Sequence, residues 1–198
     1  MAGIAGQGRR FDTTAALDAA LELFWQWGYE GASLSALTAA MGIRPPSLYA
    51  AFGSKESLFF SVVDRYNATH GNFLAEAVAE ERSGTRLARR VLHDAAAHYT
   101  STGHPRGCLV ISAAVTVAPS NEHVADRLAA LRNQNLAAFE QAFQRDVDSG
   151  ALSPQADPHH LARFVAVALQ GMSQQARDGA EVEELQAVAT TALIAIRS

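Results

Sequence analysis

Apolar residues recur three and four positions apart along almost the whole chain, and the period-two runs of Val, Ile and Thr that mark strands are nearly absent. The pattern predicts an all-α fold of about nine helices. Asp12 or Thr13 caps a first helix that carries Leu17, Leu21 and Phe24 and is stopped by Gly28. Ser33 caps a short second helix with Leu34, Leu37 and Met41, ended by Gly42. Pro45 and Pro46 fit only a first helical turn, so a third helix begins there and runs to about Ala51. Ser54 caps a longer helix, expected over 54–80, whose stripe is Leu58, Val62, Tyr66, Phe73 and Leu74. Further helices are expected over 85–99, 108–117, 122–148, 159–177 and 181–196, with loop at 101–107 and a turn-rich stretch at 149–158.

Three short helices within forty residues, the second and third joined through Gly42, have the layout of a helix-turn-helix. Helix 33–41 is the brace, with Leu37 and Ile43 turned to the core. Helix 45–51 presents its N-terminal end to the major groove, about 12 Å wide. The free amides and positive dipole end of that helix favour phosphate. Charge changes this picture, because the net charge of the chain is −4. Residues 1–60 hold four basic groups, Arg9, Arg10, Arg44 and Lys55, against five acidic ones. DNA binding would therefore depend on where donors are placed and not on bulk charge.

The stretch GYEGASLSALTAAMGIRPPSLYAAFGSKESLF, residues 28–59, resembles the DNA-binding signature of the tetracycline-repressor (TetR) family. Gly-Tyr, a capping Ser or Thr, Ala-x-Gly-Ile, Leu-Tyr-x-x-Phe and Ser-Lys-Glu follow in that order without a gap, and the likeness covers about residues 11–66. The resemblance implies a transcriptional regulator, a repressor, that binds double-stranded operator DNA as a homodimer and is released by a small-molecule effector. It implies a DNA-binding domain over 1–53, preceded by a flexible arm over 1–10, and an effector-binding and dimerisation domain over 54–198. Ser33 and Tyr49 would bond phosphates, Arg44, Pro45, Pro46 and Ser47 would lie at the groove, and Lys55 would clamp the backbone. Leu48 and Phe52 would be core.

Two residues depart from the family's usual choice. Arg44 stands where Ser or Thr is common, and could reach a guanine edge or a phosphate. Ala50 stands where a polar residue is common, and can offer only apolar contact to a thymine methyl. The plainer alternatives are a solvated turn residue for Arg44, a half-buried core tyrosine for Tyr49 and a surface lysine for Lys55. Arg9 and Arg10, on a glycine-rich arm, suit a phosphate or the minor groove; a disordered tail is the competing reading.

The C-terminal half gives mainly amphipathicity. Leu161, Phe164, Val165, Ala168, Gly171 and Met172 form one stripe, and Val182, Leu185, Val188, Ala189, Ala192, Leu193 and Ile196 another. The resemblance implies that these pair with their dyad copies in a four-helix bundle; intramolecular core is the alternative. Candidate effector-pocket residues are Phe73, His93, His98, Tyr99, Cys108, Phe139, Phe143 and Met172. Helix 54–80 would link that pocket to the DNA end. No cofactor and no metal is expected.

Other function classes are thinly supported. Cys108 with His93, His98 or His104 would be needed for an enzyme, but no nucleophile elbow, phosphate loop or HExxH pattern is present. Asp94 and His98 are the one four-residue spacing suited to a metal near the pocket. Cys108, the single cysteine, could sense oxidants or electrophiles if a cation such as Arg106 lowered its pKa. A fold that kept dimerisation but lost DNA binding is the non-enzymatic rival. The first ten residues lack the apolar stretch of a secretory signal, and no apolar run approaches the ~20 residues of a membrane span, so a cytoplasmic location is expected.

Overall fold

A computed structural model describes residues 12–197, without the side chain of Arg197. Arg9, Arg10 and the expected arm over 1–10 lie outside the described residues. The elements are α1 (Thr13–Gly31), α2 (Leu34–Ala40), α3 (Pro45–Phe52), α4 (Lys55–Ala68), α5 (Asn72–Glu80), α6 (Gly84–Thr100), α7 (Leu109–Ser112), a 3₁₀ turn (Pro119–Asn121), α8 (Glu122–Asp148), α9 (Pro158–Arg177) and α10 (Val182–Arg197). The described residues contain no strand.

The caps read from sequence are in place. The Asp12 carboxylate accepts from the amides of Thr14 and Ala15, and the Ser33 and Ser54 hydroxyls accept from the Ala36 and Ser57 amides. Such caps are worth about 1 kcal/mol each, which counts most for the seven-residue α2. Gly42, at φ +65°, turns the chain from α2 to α3.

Three expectations need correction. Helix 54–80 is two helices. Thr69, His70 and Gly71 leave the helical path, and the Thr69 and Gly71 amides both donate to the Tyr66 carbonyl at 3.1 and 2.8 Å. A Cβ at Gly71 would fall 2.7 Å from the Tyr66 ring, so the elbow packs too tightly for any other residue without a shift. The helix over 108–117 shrinks to one turn, α7. The Ala113 carbonyl is drawn out of the ladder to accept from the Tyr29 amide at 2.6 Å, and β-branched Val115, Thr116 and Val117 continue outside helix. Gly28 interrupts α1 but does not end it. It takes φ +72°, ψ 177°, and one further turn follows to Gly31.

A single apolar core runs from Phe24 and Leu48 near the chain start to Leu193 and Ile196 at its end. α4 packs on α1, while α6 lies among α8, α9 and α10. The α6–α8 approach is close: a Cβ on Gly84 would sit 2.5 Å from Phe143.

Candidate nucleic-acid interface and internal cavity

α3 holds itself to the protein by one fully buried side chain, Leu48, with Phe52 partly buried beside it. Everything else on its outer face is available. Arg44, Pro45, Pro46, Tyr49 and Ala50 are exposed and Ser47 is half-buried. Tyr49 is 47% exposed, which sets aside its reading as a core tyrosine. Arg44 is the N-cap residue of α3 and is exposed without making a side-chain cap. The expected free amides at this helix end are absent, because Pro45 and Pro46 carry no N–H and the Ser47 amide already donates to the Arg44 carbonyl at 2.9 Å. Ser33 is exposed at the start of α2; its oxygen caps the helix and its hydroxyl hydrogen remains free to donate.

Lys55 is the first residue of α4 and is half-buried. Its ammonium lies 4.6 Å from the centre of the Tyr29 ring, a cation–π contact. Burial there pushes its pKa down, and nearby Glu30 opposes that shift. Glu30 is in turn held by the Ala118 amide and the Asn121 carboxamide, both at 2.8 Å. The Glu30 carboxyl is kept below the usual range, first by Asn121 and then by Ala118. His123 at the start of α8 meets Glu56 at 3.0 Å at the start of α4. Thus the segment from Ala113 to His123 grips the base of the reading helices through Tyr29, Glu30 and Glu56.

Just before that segment, Val110 and Ile111 of α7 help to wall a cavity of about 350 Å³ lined by residues from α4 through α9. Phe73, Tyr99, Cys108 and Phe139, four of the eight pocket residues expected from sequence, line it. The other four do not. Phe143 lies against Gly84, filling the close α6–α8 contact. His98 stacks on Phe73 with ring centres 4.8 Å apart. His93 borders a separate hollow of about 140 Å³ with Arg89, Thr190, Leu193 and Ile194. Met172, one turn beyond Leu169 on α9, is buried core. Sequence reasoning missed Val110, Ile111, Leu131, Arg132, Leu136 and Ala166, among others. The only signal for the apolar ones was spacing shared with every core residue, and nothing in the sequence set Arg132 apart from the other arginines.

Cys108 sits in the cavity wall with its sulfur accepting from the Tyr66 hydroxyl at 3.3 Å and from the Tyr99 hydroxyl. Burial pushes its thiol pKa up. Arg106 does not offset this, since its guanidinium bonds the Ala180 carbonyl at 2.7 Å and Glu181 at 3.4 Å. None of His93, His98 and His104 is among the hydrogen-bond partners of Cys108. Asp94 pairs with Arg90 at 3.6 Å. Among the described residues no group of three His, Cys, Asp or Glu side chains is arranged to hold a metal.

The two terminal stripes divide. Val165, Met172, Leu185, Ala189, Ala192, Leu193 and Ile196 are buried within the chain, because α10 packs on α6 and α9. Leu161, Ala168 and Val182 are half-buried. Phe164 and Val188 remain exposed with Gly171, joined by Val167 at 59%, which the sequence reading did not include.

Two family models match the chain. One, for bacterial regulatory proteins of the tetR family, covers residues 16–62, and the other, for the tetracyclin repressor-like C-terminal domain, covers 85–192. The chain belongs to the TetR family. It is 36% identical over 189 residues to the HTH-type transcriptional repressor ComR of Escherichia coli, spanning 95% of this chain and 90% of that one. The repressor BdcR of the same organism is 31% identical over 98% of this chain and 94% of its own. Among solved structures, a cysteine mutant of the TetR family regulator CifR complexed with 26-bp operator DNA shares 43% identity. It covers 96% of this chain and 99% of its own, with a TM-score of 0.89. The protein is accordingly a helix-turn-helix transcriptional regulator, and no helix among the described residues is long and apolar enough to cross a membrane.

Proposed function

We propose that this TetR regulator is a repressor that binds its operator as a homodimer and lets go when a small molecule enters the cavity. Residues 1–53 form the operator-binding part and residues 54–198 the effector-binding and dimerisation part. The observation that carries the reading is the outer face of α3, which leaves Arg44 and Tyr49 exposed beside half-buried Ser47. Ser33, Ala50, Pro45 and Pro46 complete the contact surface, with Lys55 moving from Tyr29 to a phosphate. The operator-bound structure of CifR supports this assignment. Dimerisation uses Phe164, Val167, Gly171 and Val188, which are exposed on α9 and α10, with half-buried Ala168 beside them. Two reading heads then address half-sites about 34 Å, or a multiple of it, apart.

Effector signalling runs through α7 as well as α4. Val110 and Ile111 line the cavity, the next turn carries the Ala113 carbonyl to Tyr29, and Tyr29 carries Lys55. A ligand that shifts α7 by an ångström acts on the reading head directly, within the usual coupling of about 1–3 kcal/mol. The protein acts where chromosomal DNA is, in the cytoplasm, and its work is binding and not catalysis.

A reporter driven by the DNA upstream of the protein's own gene tests the reading. Deleting the regulator raises expression and footprinting protects two half-sites. Lowered expression would make it an activator, and an absent footprint would leave only the interaction-protein alternative.

A further inference from the structure

The cavity walls are unlike in chemistry. Most are apolar, such as Leu131, Leu136 and Phe139, and the polar residues include carboxamides, among them Asn135 and Gln170. Arg132 is the one charged residue in the lining, and no Asp or Glu lines it. Its Nη1 donates to the Val110 carbonyl at 2.8 Å. It takes part in none of the ion pairs among the described residues. On α8 the nearest acids are Asp126, six residues before, and Glu140, eight after. At 1.5 Å per residue these lie roughly 9 and 12 Å along the axis, outside the reach of helical pairing. Burial pushes its pKa down, yet a guanidinium stays charged at neutral pH. A half-buried cation without a counter-charge is costly to hold against an apolar wall.

We propose that the ligand of this cavity is a small organic carboxylate, its apolar body against Leu131, Leu136 and Phe139 and its carboxylate on the fork of Arg132. The inference rests on the reading of the cavity as the effector site. Guanidinium matches a carboxylate through two parallel N–H bonds, which a neutral amide or alcohol cannot reproduce. The same arginine braces α7 through Val110. A carboxylate that draws the fork towards itself competes with that carbonyl and loosens the turn that ends on Tyr29.

Calorimetric titration of the full chain with benzoate and octanoate, set against benzamide and octanamide, tests this. At least one acid binds saturably, one per chain, and at least tenfold more tightly than its amide. Arg132→Gln brings acid and amide to similar weak binding; Arg132→Lys, which keeps the charge but loses the fork, retains a smaller preference for the acid. Ala138→Phe, which fills the cavity and leaves Arg132 in place, weakens both. Thermal melts check that each variant is folded. An amide that binds as well as its acid, or a preference that survives Arg132→Gln, overturns the carboxylate; if Ala138→Phe still abolishes that binding, the cavity stands as a ligand site. Failure of all four probes to bind overturns the proposal and counts against the effector-site reading too.

Discussion

α3 has eight residues and one buried anchor, and its outer face owes nothing to distant parts of the chain. The cavity is walled by residues from α4 through α9, and most of its apolar lining, such as Phe73, Tyr99, Val110, Leu136 and Phe139, also belongs to the core. In the reading head, function and stability fall on different side chains. In the cavity they fall on the same ones. Substitutions should therefore separate the two regions: surface changes near α3 lower DNA affinity with little loss of stability, whereas changes around the cavity alter both.

The strongest way to sharpen that contrast is to remove the dimer without touching either region. Phe164→Glu together with Val167→Glu places two charges on the uncovered face of α9. Sedimentation should show a monomer whose melting temperature is close to that of the parent. Operator affinity should drop by roughly 10²–10⁴, the usual gain from linking two binding heads. A persisting dimer would move the interface elsewhere.

Gly28→Ala attacks the seam between the two regions. Gly28 holds a conformation nearly exclusive to glycine, and an added Cβ would meet the Ala113 carbonyl at 2.9 Å. Urea unfolding should show a loss of about 1–3 kcal/mol. An unchanged midpoint would mean that the α1–α7 seam tolerates adjustment, and that the proposed route from α7 to Tyr29 is loose.

Arg44→Ala tests the reading head alone. A base contact would cost about 1–3 kcal/mol of affinity and relax the preference at one operator position, whereas a phosphate contact would weaken all sequences alike. Binding measured on single-base operator variants distinguishes these outcomes, and unaltered affinity would return Arg44 to the solvent.

The smallest effect concerns pH at the elbow between α4 and α5. His70 packs by Trp25 and His104, with ring centres at 5.2 and 4.9 Å. Its pKa is pushed down, first by burial and then by His104 and His98. The native state then binds fewer protons than the unfolded chain just below the ordinary value of about 6.5, so stability falls as pH drops through that region. The melting temperature should decline from about pH 7.5 to about pH 5.5 less steeply in His70→Gln than in the parent. Equal slopes would assign the decline to other groups.

The contrast also explains what could be read from the sequence. Ser33, Gly42, Pro45 and Ser54 act on their own neighbours, so capping and turn chemistry placed α2, α3 and the start of α4. The side chains assigned to the reading face came from the resemblance to the TetR signature, while spacing predicted only the helices that carry them. Phe139 and Phe143 sit one turn apart on the same stripe, yet one meets empty space and the other meets Gly84. That difference is made by α6, and nothing local to α8 reports it. The same holds for α10, whose most regular apolar stripe is spent inside the chain. The α4–α5 elbow was legible in principle from Thr69 and Gly71, but the continuing apolar spacing concealed it.

The central claim is that a chain of net charge −4 holds DNA through a few placed donors. Fluorescence anisotropy with the DNA upstream of its own gene, across a salt series, tests it directly for the parent and Tyr49→Phe. The parent should bind with a linear loss of log affinity against log salt. Tyr49→Phe, which in the proposed complex removes one neutral hydroxyl–phosphate bond per protomer, should weaken binding at every salt concentration while the slope, set by the cationic contacts, stays close to the parent's. No binding at low salt, or an identical affinity for both proteins, would contradict the account.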